Sequence, residues 1–220
     1  MTYFSADHRV VALDLRGHGG SDAPEQRYTM QALADDVAWM CAQLGVERPV
    51  VVGHSLGGLV ALELAAGHRE QVRAVALVDS VLLPTGDRAP FVRDLVTALR
   101  SPDGNQALRA YYATFFGPYD DPARRGWILD EILRTPAHVT SSILEESIRS
   151  WDDADALDRC QVPLLYLDAS TPNADLARAA RLAPQLVIGR TICSGHFSPC
   201  EVPEQINTML ERFLAVGLDA

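Results

Sequence analysis

The chain has 220 residues, 48% of them hydrophobic and 22% charged, enough apolar material for one folded domain with a sizeable core. A formal net charge of −10 offers no basic face, which argues against nucleic acid or an anionic membrane as partner and leaves a small neutral or weakly polar molecule as the expected ligand. Four cysteines (Cys41, Cys160, Cys193 and Cys200) form no C-x-x-C pair and no disulfide framework. They are expected as reduced thiols in the cytoplasm, with no metal site and no cofactor.

In chain order, residues 9–14 (RVVALD) are expected as a strand, followed by the loop "LRGHGGSD", in which Asp14 and His18 are read as shaping residues. Met30, Leu33, Ala34, Val37, Cys41 and Leu44 fall at helical spacing, with Gly45 as a stop. A strand over 50–53, a helix over 56–66 and a strand over 74–79 follow. Residues 82–159 show no convincing strand, only helical stretches carrying Phe91, Tyr111, Tyr112, Phe115, Phe116, Tyr119, Trp127 and Trp151. Most of those rings are expected to pack a helical cap and the remainder to line an apolar pocket. Strand 163–168, helix 174–182, strand 186–191 and helix 203–215 complete the pattern. Apolar strands alternating with helices imply an α/β fold: a mostly parallel sheet flanked by helices. The core is expected over 1–81 and 160–220, with 82–159 as the cap. In such sheets ligands bind beyond the carboxyl ends of the strands.

The run "PVVVGHSLGG" (49–58) ends in G-x-S-x-G at Gly53, Ser55 and Gly57. A sharp strand-to-helix turn there pushes the Ser55 hydroxyl above the sheet at a helix N-terminus, and the flanking glycines are expected because side chains would collide with the neighbouring strand and helix. Such a hydroxyl becomes a nucleophile only when a base takes its proton. Of the six histidines, His8, His68 and His138 lie in polar surroundings and are expected on the surface. His54 adjoins the serine but should point away from it, as packing or support. His196, in "SGHFSPCEVPEQI", follows the last strand and precedes the last helix, where a general base belongs.

Taken together, "VVALDLRGHGGSD", "VVVGHSLGGLVALELA", "VRAVALVDS" and "SGHFSPCEVPEQINTMLERFL" resemble successive landmarks of the α/β-hydrolase fold family, over essentially the whole chain. The resemblance implies a Ser55 nucleophile, a His196 base, a helical cap between the strands at 74 and 163, and an oxyanion-hole donor in the Leu56 backbone N–H. It implies a cofactor-free hydrolase that cleaves an ester or related acyl bond of a small apolar substrate through an acyl-enzyme. Lactones, amides and carbon–carbon bonds of diketones are cleaved by the same triad within the family. Serine in place of aspartate disfavours dehalogenase or epoxide hydrolase chemistry, which needs an alkyl-enzyme ester.

Two departures from the family pattern stand out. Members normally open with three further strands and a His-Gly-type loop that supplies a second oxyanion donor, whereas this chain opens near the fourth. The expectation is a truncated frame with a bare sheet edge, a half-built oxyanion hole, and poor solubility or self-association along that edge. A minimal enzyme with another group filling the hole, or a non-catalytic ligand binder on the same fold, are the alternatives. The acid of the triad is the second departure. The family's G-x-x-D after the strand at 163 is missing, which leaves Asp168 at that strand's tip and Asp175 before a helix, where N-capping explains it. Asp79 closes the strand after the nucleophile helix, the position from which certain haloalkane dehalogenases take their acid. Asp79 is favoured, with Asp168 and Asp175 as alternatives.

Overall fold

Four short aliphatic runs pair side by side in the computed structural model, which describes residues 3–84, 87–170 and 174–218. In chain order the elements are α1 (Met30–Gln43), β1 (Val50–His54), α2 (Leu56–Gly67), β2 (Ala74–Val78), α3 (Ala89–Leu99), α4 (Gly104–Ala113), α5 (Pro122–Ile132), α6 (Ala137–Arg149), α7 (Asp153–Arg159), β3 (Leu164–Asp168), α8 (Leu176–Leu182), β4 (Leu186–Arg190), α9 (Ser198–Glu201) and α10 (Pro203–Val216). Short 3-10 turns lie at Phe4–Ala6 and Arg69–Gln71. The strands run parallel in the order β1-β2-β3-β4, with Val52 opposite Ala76, Leu77 opposite Tyr166 and Tyr166 opposite Ile188. Parallel neighbours need crossovers. α2 supplies the first, α3 to α7 the second and α8 the third.

β2 and β3 are buried along their whole length, as strands covered on both faces must be. One face packs Val75, Leu77, Leu164 and Tyr166 against Leu33 of α1, Val60 and Leu64 of α2, and Leu157 of α7. Alternation turns Ala74, Ala76, Val78, Leu165 and Leu167 to the other face, where Ile206, Leu210 and Phe213 of α10 cover them. Thr29 caps α1, its hydroxyl accepting from the Ala32 N–H at 3.1 Å. Among the described residues no helix is long and apolar enough to cross a membrane.

The expected strand at 9–14 does not form. The segment lies outside the ladder. Its Leu13 packs on the main core while Val11 is exposed, as is Val52 on β1. β-branched composition makes a strand only where a neighbour accepts its backbone hydrogen bonds, and none of the four strands pairs with it.

Between β2 and β3, α3 to α6 build a small cluster of their own from Leu95, Leu99 and Leu108, with Tyr111, Tyr112 and Leu144 against it. Val139 and Ile143 of α6 pack into the main core, and polar ties add to that hold. Arg27 forks onto Glu146 (2.9 and 2.7 Å), the Tyr28 N–H donates to Ser142 Oγ (2.9 Å), and the Trp151 indole donates to Glu63 Oε2 (2.8 Å). α7, later in the same segment, buries Ala156 and Leu157 in the main core.

Candidate active site

β1 ends at His54, and the chain reverses into α2 at Ser55, whose backbone is left-handed (φ 52°, ψ −119°). A non-glycine residue there carries about 1–3 kcal/mol of strain. The surroundings hold it in place: the Ser55 N–H donates to Val78 O at 2.9 Å, and the Gly58 N–H donates to Ser55 O at 3.0 Å. A Cβ on Gly53 would sit 2.1 Å from Gly57 O, and one on Gly58 would sit 2.0 Å from Ser80 Oγ, so strand and helix approach too closely there for any side chain. Gly57 departs from the expected collision. A Cβ there meets open space, and nothing in the structure explains the glycine.

One strand over, Asp79 also has a positive φ (43°) directly after β2, and its N–H donates to Leu167 O at 2.8 Å. This turn aims the fully buried carboxylate at the loop after β4. There His196 Nδ1 donates to Asp79 Oδ2 at 2.7 Å, and Ser55 Oγ lies 3.0 Å from His196 Nε2, placed to donate to it. Three residues spread over 142 positions of chain meet because β1, β2 and β4 all end at the same edge. The other two carboxylates stand elsewhere. Asp168 Oδ2 accepts from Arg190 Nε at 2.9 Å, and burial raises the Asp168 pKa while Arg190 opposes the shift. Asp175 Oδ1 caps α8 by accepting from the Arg178 N–H at 2.9 Å.

The Leu56 N–H is the first donor of α2, one of those that helix geometry leaves without an intrahelical acceptor, and Leu56 lines the same cavity as Ser55 and His196. His54 turns away from Ser55 and supports the neighbouring loop, as expected: its Nε2–H donates to the backbone carbonyl of His196 at 2.6 Å, a partner that the sequence did not identify. Burial, reinforced by the neighbouring His196 ring, lowers the His54 pKa to about 4, so the ring is neutral at pH 7 and remains a single-proton donor.

The loop "LRGHGGSD" borders the same cavity through His18 and Gly19. Asp14 shapes it. Its carboxylate accepts from the Gly20 N–H at 2.9 Å, and a Cβ on Gly19 (φ 54°) would lie 2.4 Å from Asp14 Cγ. His18 Nδ1 lies 3.1 Å from Arg16 O. On the surface His68 meets Asp35 (2.7 Å) and His138 meets the Ala23 carbonyl (3.1 Å).

The cavity measures about 510 Å³, and Leu59, Tyr111, Tyr112, Phe115, Ile143 and Leu144 form its apolar walls. Of the rings between β2 and β3, Tyr111, Tyr112 and Phe115 therefore face the site, and burial pushes the Tyr112 phenol up to about 12. Phe91, Tyr119 and Trp127 are exposed, and Phe116 stacks on Phe197. Among the described residues no cluster of three or more His, Cys, Asp or Glu is arranged to hold a metal ion.

Residues 2–198 match the profile of the alpha/beta hydrolase fold family. The chain is 36% identical over 178 residues to a pimeloyl-(acyl-carrier protein) methyl ester esterase of Neisseria meningitidis serogroup C, covering 74% of this chain and 66% of that protein's length. It is 28% identical over 229 residues to a soluble epoxide hydrolase of Corynebacterium sp. strain C12, covering 93% of this chain and 80% of that one. Among solved structures, a thermophilic esterase from Thermogutta terrifontis superposes with a TM-score of 0.81 at 25% identity, over 93% of this chain and 78% of the esterase.

Proposed function

The chain belongs to the α/β-hydrolase fold family of hydrolases, and from that premise we propose that it is a serine esterase acting on a small, largely apolar ester. The observation that carries this reading is the relay of Ser55 Oγ to His196 Nε2 (3.0 Å) and His196 Nδ1 to Asp79 Oδ2 (2.7 Å). Ser55 Oγ attacks the ester carbonyl carbon while its proton passes to His196 Nε2, and Asp79 steadies the imidazolium. The Leu56 N–H faces the oxygen that becomes anionic. Collapse of the tetrahedral intermediate expels the alkoxide, which takes the proton from His196 and leaves as the alcohol. Water then gives a proton to His196, attacks the acyl-Ser55 carbonyl and releases the carboxylic acid, and Ser55 recovers its hydrogen.

Similarity to a methyl ester esterase adds weight to an ester over other acyl bonds. The likeness to a soluble epoxide hydrolase does not extend to its chemistry on this reading, because opening an epoxide through an alkyl-enzyme ester calls for a carboxylate nucleophile and position 55 is serine. Apolar walls above Ser55 suit an acyl or alcohol portion of several carbons. The four free thiols suit a reducing compartment, and we place the enzyme in the cytoplasm.

Presteady-state hydrolysis of p-nitrophenyl esters tests the proposal. The wild-type chain should release a burst of nitrophenol stoichiometric with enzyme, followed by slower turnover, and Ser55→Ala should lose both. A Ser55→Ala variant that turns over at the wild-type rate contradicts the reading, as does a folded wild-type chain inert toward every ester tried.

A further inference from the structure

Two acids converge on Gly195, the residue before His196. Glu201 of α9 accepts the Gly195 N–H through Oε2 at 2.7 Å, and Asp120 of the α4–α5 loop accepts the Gly117 N–H through Oδ2 at 2.7 Å. A Cβ placed on Gly195 would lie 3.3 Å from both Asp120 Oδ2 and Glu201 Oε1, so the two carboxyl groups converge on the residue preceding His196. Glu201 Oε1 and Asp120 Oδ1 are buried with no hydrogen-bond partner. Two ionised carboxylates can only accept, so neither orphaned oxygen can be satisfied by the other acid. One proton on the pair supplies the missing donor.

We propose that Asp120 and Glu201 share a single proton and act together as a positioning pair that holds the His196 backbone in register with Ser55, tying the helical segment between β2 and β3 to the base. This rests on the reading of His196 as the base. Gly195, whose N–H Glu201 accepts, is the residue before it. The same junction brings the His196 N–H to Phe115 O (3.4 Å), stacks Phe116 on Phe197 with centroids 4.8 Å apart, and joins Arg124 Nη1 to Cys200 O (3.0 Å).

The groups facing the pair are Arg124 and Arg125 from α5 and Cys200 from α9, with His196 on the adjoining loop. Arg124 Nη1 donates to the Cys200 carbonyl and Arg125 to the Gly117 carbonyl, the Nε–H of each arginine is buried without a hydrogen-bond partner, and among the described residues neither forms an ion pair with Asp120 or Glu201. Burial raises the Glu201 pKa, and the Asp120 charge raises it further, against the opposing pull of the Gly195 N–H and Arg124. A raised value means that the proton is held to higher pH than an ordinary carboxyl group holds it and is lost as pH rises through that value. Above that point two adjacent carboxylates repel, and the grip on Gly195 loosens.

Three variants assayed on an activated ester test this. Glu201→Gln keeps an acceptor for Gly195 and gives Asp120 a permanent N–H donor, so kcat should match the wild type where the pair holds its proton, and the decline that accompanies loss of that proton should disappear. Glu201→Ala removes the acceptor and strands Asp120, so kcat should fall about tenfold or more with KM little changed, the signature of a displaced base rather than a lost substrate contact. Infrared difference spectra of the wild type and Glu201→Gln, followed across a pH titration, should show a protonated-carboxyl stretch that depends on Glu201 and persists above the pH at which ordinary carboxyl groups ionise. Should Glu201→Ala fail to fold, the Gln variant's pH profile and the infrared band decide alone. The proposal is overturned if Gln loses as much kcat as Ala, if Gln keeps the wild-type pH profile, or if no band depends on Glu201. His196→Ala measured alongside separates the two readings: wild-type turnover in that variant removes His196 as base and leaves the pair nothing catalytic to position, whereas a missing band defeats the shared proton whatever His196 does.

Discussion

The sheet edge and the helical segment between β2 and β3 are built on different terms. At the edge, Ser55 and Asp79 both adopt left-handed backbone, and each is pinned by a hydrogen bond to the neighbouring strand, Ser55 N–H to Val78 O and Asp79 N–H to Leu167 O. Gly53 and Gly58 permit no side chain. The helical segment α3–α6 has no such constraints. It packs Leu95, Leu99 and Leu108 through amphipathic faces and joins the main body through Val139 and Ile143 of α6 and a few polar ties, Arg27 to Glu146 among them. A rigid edge suits groups that must stay within a few tenths of an ångström of one another, whereas a loosely specified cover suits a surface that selects what reaches them. Substitutions at the edge should therefore change the rate constant of the chemistry, and substitutions in the cover should change which ester is preferred.

The largest expected effect lies at the edge. Asp79→Asn keeps the shape of the buried side chain but removes the charge that orients His196, and kcat should drop about 10⁴-fold with little change in fold. Asp168→Asn should leave kcat near wild type, since Asp168 is engaged by Arg190 rather than His196. Steady-state kinetics of the two variants side by side would break the comparison if their effects were reversed.

Next is the neutral histidine behind the base. The His54 pKa is near 4 in the folded chain against 6.5 for an unperturbed ring. Above pH 6.5 the ring is neutral both folded and unfolded, and it contributes no pH dependence. As pH falls below 6.5 the unfolded chain takes up the proton first, so stability declines, levelling off below about pH 4 with a total loss of about 3 kcal/mol. His54→Gln, whose amide can still donate to the His196 carbonyl, should remove that part of the acid sensitivity. Denaturant unfolding at pH 7 and pH 4.5 measures it, and an unchanged wild-type slope in the variant would show that the ring titrates freely.

The cover should give the smallest effect. Leu144, which lines the cavity and packs on the Leu95–Leu108 cluster, should when changed to Ala lower kcat/KM for a hexanoyl ester about tenfold while leaving the acetyl ester almost unaffected. Equal losses on both esters would place Leu144 with the chemistry and blur the division.

The same division governs what can be read from the residues. The four paired strands, the turn at Ser55 and the loop that places His196 follow from local patterns, because each depends on neighbours within a few positions. The segment at 9–14 has the same composition as a strand yet remains unpaired, since pairing is a property of the neighbour and not of the run. Asp79 could be favoured over Asp168 but not chosen, because the choice depends on Arg190 reaching Asp168 across β3 and β4. Tyr112 and Trp127 are equally aromatic, and only the rotation of their helices sends one to the cavity and the other to solvent. Asp120 and Glu201 lie 81 positions apart in no motif, so nothing short of the assembled fold brings them together.

The central claim is that Ser55, activated through His196, is the atom that takes the acyl group. Treating the protein with a fluorophosphonate and mapping the adduct by peptide mass spectrometry tests it most directly, with His196→Ala and a heat-unfolded sample beside it. The account predicts one adduct, on the peptide containing Ser55, formed rapidly in the wild type, far more slowly in His196→Ala and not at all in the unfolded chain. An adduct on another residue, or labelling of Ser55 as fast without His196 as with it, would contradict the account.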